Sequence, residues 1–213
     1  MTKEISRQIV KELNQALQRL PERFHDSFEY VKRGNNLCHP VTVWLLGKIV
    51  ASLERVTCVG IDVRLNRGGG RKFQPDVVGF DKTWKPVVYV DFESPNSCDA
   101  RVPLKDVIPY LKWADAKQPD ARPVAPYVIV VSLPNKAVQD WQVRWIAKGQ
   151  TNYKHRNKVK EIRANPHRYW TKVWSNELAR ELRKTKCKLI KRHLSWVTVV
   201  NINRRSVTKV TLP

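Results

Sequence analysis

No stretch of this 213-residue chain approaches the roughly 18 consecutive apolar residues of a membrane span, so insertion into a bilayer is not expected. The opening MTKEISRQIVKEL also lacks the apolar core of a secretion signal, because Lys3, Glu4, Arg7, Lys11 and Glu12 interrupt it. A cytoplasmic location is the expectation. The four cysteines, Cys38, Cys58, Cys98 and Cys187, form no CxxC pair, and the five histidines are just as scattered. A zinc site needs clustered thiolate or imidazole ligands, so that pattern argues for reduced thiols instead. The triple glycine in RLNRGGGRKF is not followed by the Gly-Lys-Ser/Thr ending of a phosphate loop, and no GxSxG elbow occurs. Nucleoside triphosphatase and serine hydrolase chemistry are poorly supported.

Acids are scarce too. Nineteen Asp and Glu face forty Lys and Arg, a net charge of +21 at a pI near 10.2. Such an excess repels itself, and a polyanionic partner is its leading explanation. The charge is uneven: residues 141–213 hold nineteen bases and three acids, +16 of the total. The apolar content of 42% is enough for a buried core. Three parts are expected: a helical segment over 1–37, a core over 38–140, and a basic part over 141–213. The turn-forming Leu133-Pro134-Asn135 precedes the last boundary.

Ile5, Ile9, Leu13, Leu17 and Leu20 recur at helical spacing, which predicts an amphipathic helix over 3–20, stopped by Pro21. His39-Pro40 opens a second helix, with Val41, Leu45, Ile49 and Leu53 on one face. The period then changes to two. VGIDVRL reads as one strand with Val59, Ile61, Val63 and Leu65 on a common face, and NRGGG turns the chain back into KFQPDVVGF. KPVVYVDFE is a third strand and the apolar run PYVIVVSLP a buried fourth. Between them VPLKDVIPYLKWADA suggests a helix that Pro109 kinks or delays. The result is an α/β core with a mixed central sheet flanked by helices, in which the crossover helix joins two parallel strands.

Along 87–93, alternation puts Tyr89, Asp91 and Glu93 on one face and Val88, Val90 and Phe92 on the other. Two carboxylates two apart on a hydrophobic strand repel each other and lose hydration. A divalent cation offsets both costs, and Asp76 supplies a third oxygen ligand if its strand pairs with this one. Three carboxylates with open positions suit Mg²⁺, with Mn²⁺ as an alternative. Such an ion activates water and stabilises charge on a phosphodiester. The competing reading is a solvent-facing acidic strand end.

Pro75-Asp76, a fourteen-residue gap and Asp91-Phe92-Glu93 together resemble the PD-(D/E)XK nuclease superfamily, the restriction-endonuclease-like fold. The resemblance implies that Asp76 and Asp91 are metal ligands. Glu93 stands at the usual lysine position, a departure also seen in some restriction enzymes of the superfamily. VDFESPN followed by Leu104-Lys105 and Tyr110 looks more closely like a family of nucleases common in cyanobacteria, which pairs a proline-aspartate with an acid-x-x-Ser-Pro segment. The match covers roughly residues 38–133. Lys105 or Lys112 on the following helix would stand in for a migrated lysine, with Lys105 the catalytic candidate. Glu54 and Asp62 are extra ligands by fold analogy.

The basic part reads as two helices split at Asn165-Pro166, with Trp170, Trp174, Leu178 and Leu182 as an apolar stripe. A solvated face would mix acids among its bases, so Arg168, Lys172, Arg180, Arg183, Lys184 and Lys188 read as a phosphate-contacting surface. Arg71 and Lys72 beside the glycine tip are further backbone contacts. SWVTVVNINRRSVTKVTLP forms a terminal hairpin turning over 201–205. The sequence thus predicts a Mg²⁺-dependent endonuclease acting on DNA, with catalytic Asp76, Asp91, Glu93 and Lys105. RNA would meet the same basic face. A homodimer is the default, because cutting two strands with one site per subunit calls for two-fold symmetry. The alternative is a non-catalytic DNA- or RNA-binding protein that keeps a nuclease-like fold. A purely binding surface, however, has no use for carboxylates that repel phosphate. A third reading, a ribosome- or RNA-associated structural protein, accounts for the charge but not for those acids.

Overall fold

The computed structural model describes residues 2–21, 38–67, 71–94, 104–115, 125–132, 176, 194–203 and 206–210. Two helices come near the N-terminus, α1 (Thr2–Arg19) and α2 (Cys38–Ala51). Strands β1 (Cys58–Ile61), β2 (Leu65–Arg67), β3 (Arg71–Phe73), β4 (Val77–Phe80) and β5 (Pro86–Glu93) follow. After them come α3 (Leu104–Asp115), β6 (Tyr127–Val131), β7 (Val197–Asn203) and β8 (Ser206–Val210). The main sheet has six strands in the order β1-β4-β5-β6-β7-β8, and β2 pairs with β3 as a separate ribbon. The pairs β5–β6 and β6–β7 are parallel, while the outer pairs are antiparallel. This is a mixed α/β sheet.

Both faces of the sheet are covered, which is why its central strands are apolar on both sides. Every residue of β6 is buried. On one face Val77, Val88, Val90, Phe92, Val128 and Val130 pack against α1 and α2. The amphipathic spacing of α1 delivers Ile9, Leu13 and Leu17 to that layer, each at most 1% exposed. On the other face Val78, Tyr89, Tyr127 and Ile129 meet Val107, Tyr110, Leu111 and Trp113 of α3. Phe73, from the small ribbon, stands at the centre of that aromatic layer. Its ring lies 5.0–5.4 Å from Tyr89, Tyr110, Trp113 and Tyr127, with edge-on contacts to Tyr89 and Tyr127. The Tyr110 hydroxyl donates to the Ala125 carbonyl at 3.0 Å, tying α3 to the entrance of β6. The crossover β5–α3–β6 joins parallel strands, as the element order predicts.

Three local expectations are corrected. The stretch 59–65 is not one strand, because Asp62 adopts a left-handed backbone (φ 52°) that ends β1 at Ile61. Alternation does not survive such a break, so Val59 packs on the α1/α2 face while Val63 and Leu65 pack on the α3 face. Ile61, expected inside, is 49% exposed. On α2 the buried side comprises Thr42, Val43, Leu45, Leu46, Ile49 and Val50, and Val41 points outward. Finally, α3 starts at Leu104 and runs through Pro109, which lies on its exposed side where the lost backbone bond faces water.

The terminal hairpin forms, but its turn is tighter than the expected 201–205: residues 201–203 are part of the strand and Asn203 pairs with Ser206. Its first strand pairs in parallel with β6, so residues 197–210 extend the same sheet that carries the acids. The basic stretch that contains Arg168, Lys172, Arg180, Arg183, Lys184 and Lys188 lies outside the described residues.

Candidate active site

The antiparallel register of β4 and β5 pairs Val77 with Val90. One step further along, Asp76 lies opposite Asp91, just before β4 begins and near where β5 ends. Backbone groups of the two strands hold both carboxylates in place. The Asp91 carboxylate accepts the Asp76 backbone N–H at 2.6 Å, and the Asp76 carboxylate accepts the Phe92 N–H at 2.7 Å. The Tyr127 hydroxyl, brought alongside by the parallel β5–β6 pairing, donates to the other oxygen of Asp91. Charge-assisted bonds of this kind fix a carboxylate's direction as well as its position.

Asp91 and Glu93 are both buried, at 7% and 8% exposure. Burial, and next the negative charge of Asp76, push the Asp91 carboxyl up from 3.8 to about 7. Hydrogen bonds from Tyr127 and from the Asp76 backbone oppose that rise without cancelling it. Burial and the nearby Asp91 charge hold the Tyr127 phenol well above its ordinary value, so it remains a donor.

A histidine joins the acids from the other side. His39, in the first turn of α2, brings Nε2 within 3.6 Å of an Asp76 oxygen and sets its ring 5.8 Å from that of Phe92. The contact with Asp76 raises the His39 pKa, with Glu93 and Asp62 adding to it, while partial burial works against it. Asp62 is tied in through its backbone N–H, which donates to the Asp76 carbonyl at 2.9 Å. Cys38, the neighbour of His39, is not a nucleophile at neutral pH, since burial pushes its thiol up to about 11.

No family model, curated protein or solved structure matches the chain.

Of the residues singled out from sequence, Asp76 and Asp91 meet across the ladder, and Glu93 closes the same strand. Lys105 has its backbone in the first turn of α3, and Arg71 and Lys72 theirs in β3. Glu54 is corrected: it is exposed beyond the far end of α2, about 20 Å of helix away from His39. His39 and Tyr127 belong to the site although no sequence pattern points to them. His39 sits beside Pro40 at a helix start and Tyr127 opens a buried strand, and neither position carries a local mark of its partners. Among the described residues, no group of three or more His, Cys, Asp or Glu side chains could hold a metal ion. No described helix is long and apolar enough to cross a membrane.

Proposed function

We propose that this chain is a metal-dependent endonuclease that hydrolyses phosphodiester bonds in DNA. The observation that carries the reading is the pairing of Asp76 with Asp91, two carboxylates held opposite each other by the backbone N–H groups of Phe92 and Asp76, one of them buried. Burying like charges together is costly unless a cation or a proton balances them. The order α2, β1, β4, β5, α3, β6, with antiparallel strands first and a parallel crossover last, supports the restriction-endonuclease-like core that the motif implies.

The donor set fits Mg²⁺. That ion is commonly held by one or two carboxylates plus waters and substrate phosphate, not by a complete protein cage. Asp76 and Asp91 would hold it, with waters and substrate completing its shell, since Glu93 does not join them in a three-carboxylate group. When bound it would supply Lewis-acid activation of water and charge neutralisation at phosphorus. The chain's own side chains do the rest. Tyr127 and the Asp76 N–H aim the Asp91 carboxylate, and Glu93 orients the attacking water. His39, whose pKa is raised by its contact with Asp76, is placed to supply positive charge beside the acids, and Lys105 is the other candidate for that role. The basic residues of 141–213 would clamp the nucleic-acid backbone. A symmetric dimer would cut both strands.

Plasmid cleavage with Mg²⁺, Mn²⁺ or EDTA tests the proposal. Wild type is expected to cut with either ion and not with EDTA. Asp91→Ala is expected to lose cutting while binding DNA as well or better, because a charge that repels phosphate is gone. Binding without cleavage in either ion would instead favour a non-catalytic nucleic-acid-binding protein.

A further inference from the structure

Beside the acids, α2 and the end of β1 enclose an open, largely apolar cleft of about 490 Å³. That is ligand-sized, within the roughly 300–1,000 Å³ of small-molecule sites. Trp44 forms one wall and is 58% exposed, and Ile61 faces it at 49% exposed. Gly47 forms part of the lining: a methyl group built there would already touch Ile61 at 3.4 Å, so the missing side chain keeps the cleft open. The Lys48 ammonium stands 4.3 Å above the Trp44 ring. At its other end the cleft is lined by His39 and Asp62, and His39 touches Asp76. The cleft therefore borders the acids through His39 and Asp62, with Asp76 its nearest acid.

We infer that this cleft is a nucleobase subsite, in which Trp44 stacks an unpaired base of a single-stranded or locally opened nucleic acid next to the phosphate presented to Asp76 and Asp91. The inference rests on the nuclease reading for what the base is held against. Three features favour this occupant. Lys48 covers one face of the Trp44 indole, and the other is a stacking face that every base can use, whatever its identity. Lys48 and the chain's net charge of +21 suit the phosphate that accompanies each base. Asp62 is an acceptor that repels phosphate, and it suits the exocyclic amine of a base edge at that rim. Bases inside an intact duplex are already stacked and cannot enter, so the subsite selects unpaired substrate.

Fluorescence anisotropy in EDTA reads the subsite apart from catalysis. The probes are a fluorescein-labelled deoxycytidine oligomer, a duplex of equal length, and the oligomer with abasic sites. Trp44→Ala is expected to weaken binding of the oligomer about tenfold and to leave the duplex and the abasic strand unchanged. Trp44→Phe should restore most of the loss, and circular dichroism should show both variants folded, since the side chain is mostly in water. Equal affinity of Trp44→Ala and wild type for the oligomer would overturn the subsite, as would an equal loss on the abasic strand. The nuclease reading fails separately: Trp44-dependent binding without metal-dependent cleavage overturns hydrolysis and keeps the subsite. Cleavage with Trp44-insensitive binding overturns the subsite alone.

Discussion

Asp91 concentrates the site's electrostatics in one side chain. Its folded carboxyl titrates near 7 against an ordinary 3.8, so the folded state prefers the protonated acid. The stability linked to this group is fully present below about pH 4 and is lost as pH rises through 7. Asp91→Asn is neutral at every pH, can still accept the Asp76 N–H, and can donate to the Tyr127 oxygen. Each tenfold gain in proton affinity on folding corresponds to about 1.4 kcal/mol, so in EDTA at pH 8 this variant should be more stable than wild type by on the order of 2–4 kcal/mol. The difference should vanish below about pH 4, and melting curves across that range check it. If Mg²⁺ binds here, it should raise the melting temperature of wild type at pH 8 and have little effect on the Asn variant. An ion that stabilised both alike would be bound elsewhere.

At the scale of elements, helix α2 ties the core to the site, and its two glycine neighbourhoods behave oppositely. Gly47 lies inside the helix with room for a methyl group at ordinary contact distance from Ile61. Gly47→Ala should stabilise the protein by about 0.5–1 kcal/mol, because alanine restricts the unfolded chain more and favours helix. Gly79, on β4 beneath the same helix, has no such room. A Cβ there would fall 2.8 Å from Val50 Cγ1 and 2.9 Å from Val56 Cγ2. Gly79→Ala should therefore cost about 1–3 kcal/mol by pushing α2 off the sheet. Urea denaturation of the two variants reads both signs. Since β4 leads directly from Asp76, the Gly79 substitution should also lower any metal-dependent cleavage.

For the whole molecule, charge is the leading property. Residues 141–213 carry +16 of the +21, although most of them lie outside the described structure. If they bind the backbone of DNA, each neutralised phosphate releases counterions and contributes a slope of about −0.9 in log affinity against log salt. Changing Arg183, Lys184 and Lys188 together to Ala should make that slope shallower by up to about three such contributions. Affinity should fall alike for unrelated sequences, because backbone contacts do not read bases. A triple variant that folds normally and keeps both affinity and slope would reduce these residues to solubilising charge.

Local periodicity was enough to specify much of this protein. The spacing of Ile9, Leu13 and Leu17 defines α1, and the run from Tyr127 to Val131 could only be an interior strand. Alternation along β5 already separated Tyr89, Asp91 and Glu93 from Val88, Val90 and Phe92. Such patterns act over a few residues, so the sequence determines them by itself. Only the tertiary structure decided which distant groups meet. The motif resemblance already points to Asp76 and Asp91 as partners, but Tyr127 reaches Asp91 across 36 positions through strand register that no local pattern encodes. His39 arrives because α2 packs on the sheet with its first turn over Phe92. The break at Asp62 was hidden for the same reason. A left-handed residue there is held by its bond to the Asp76 carbonyl, a contact that exists only once β1 and β4 have paired.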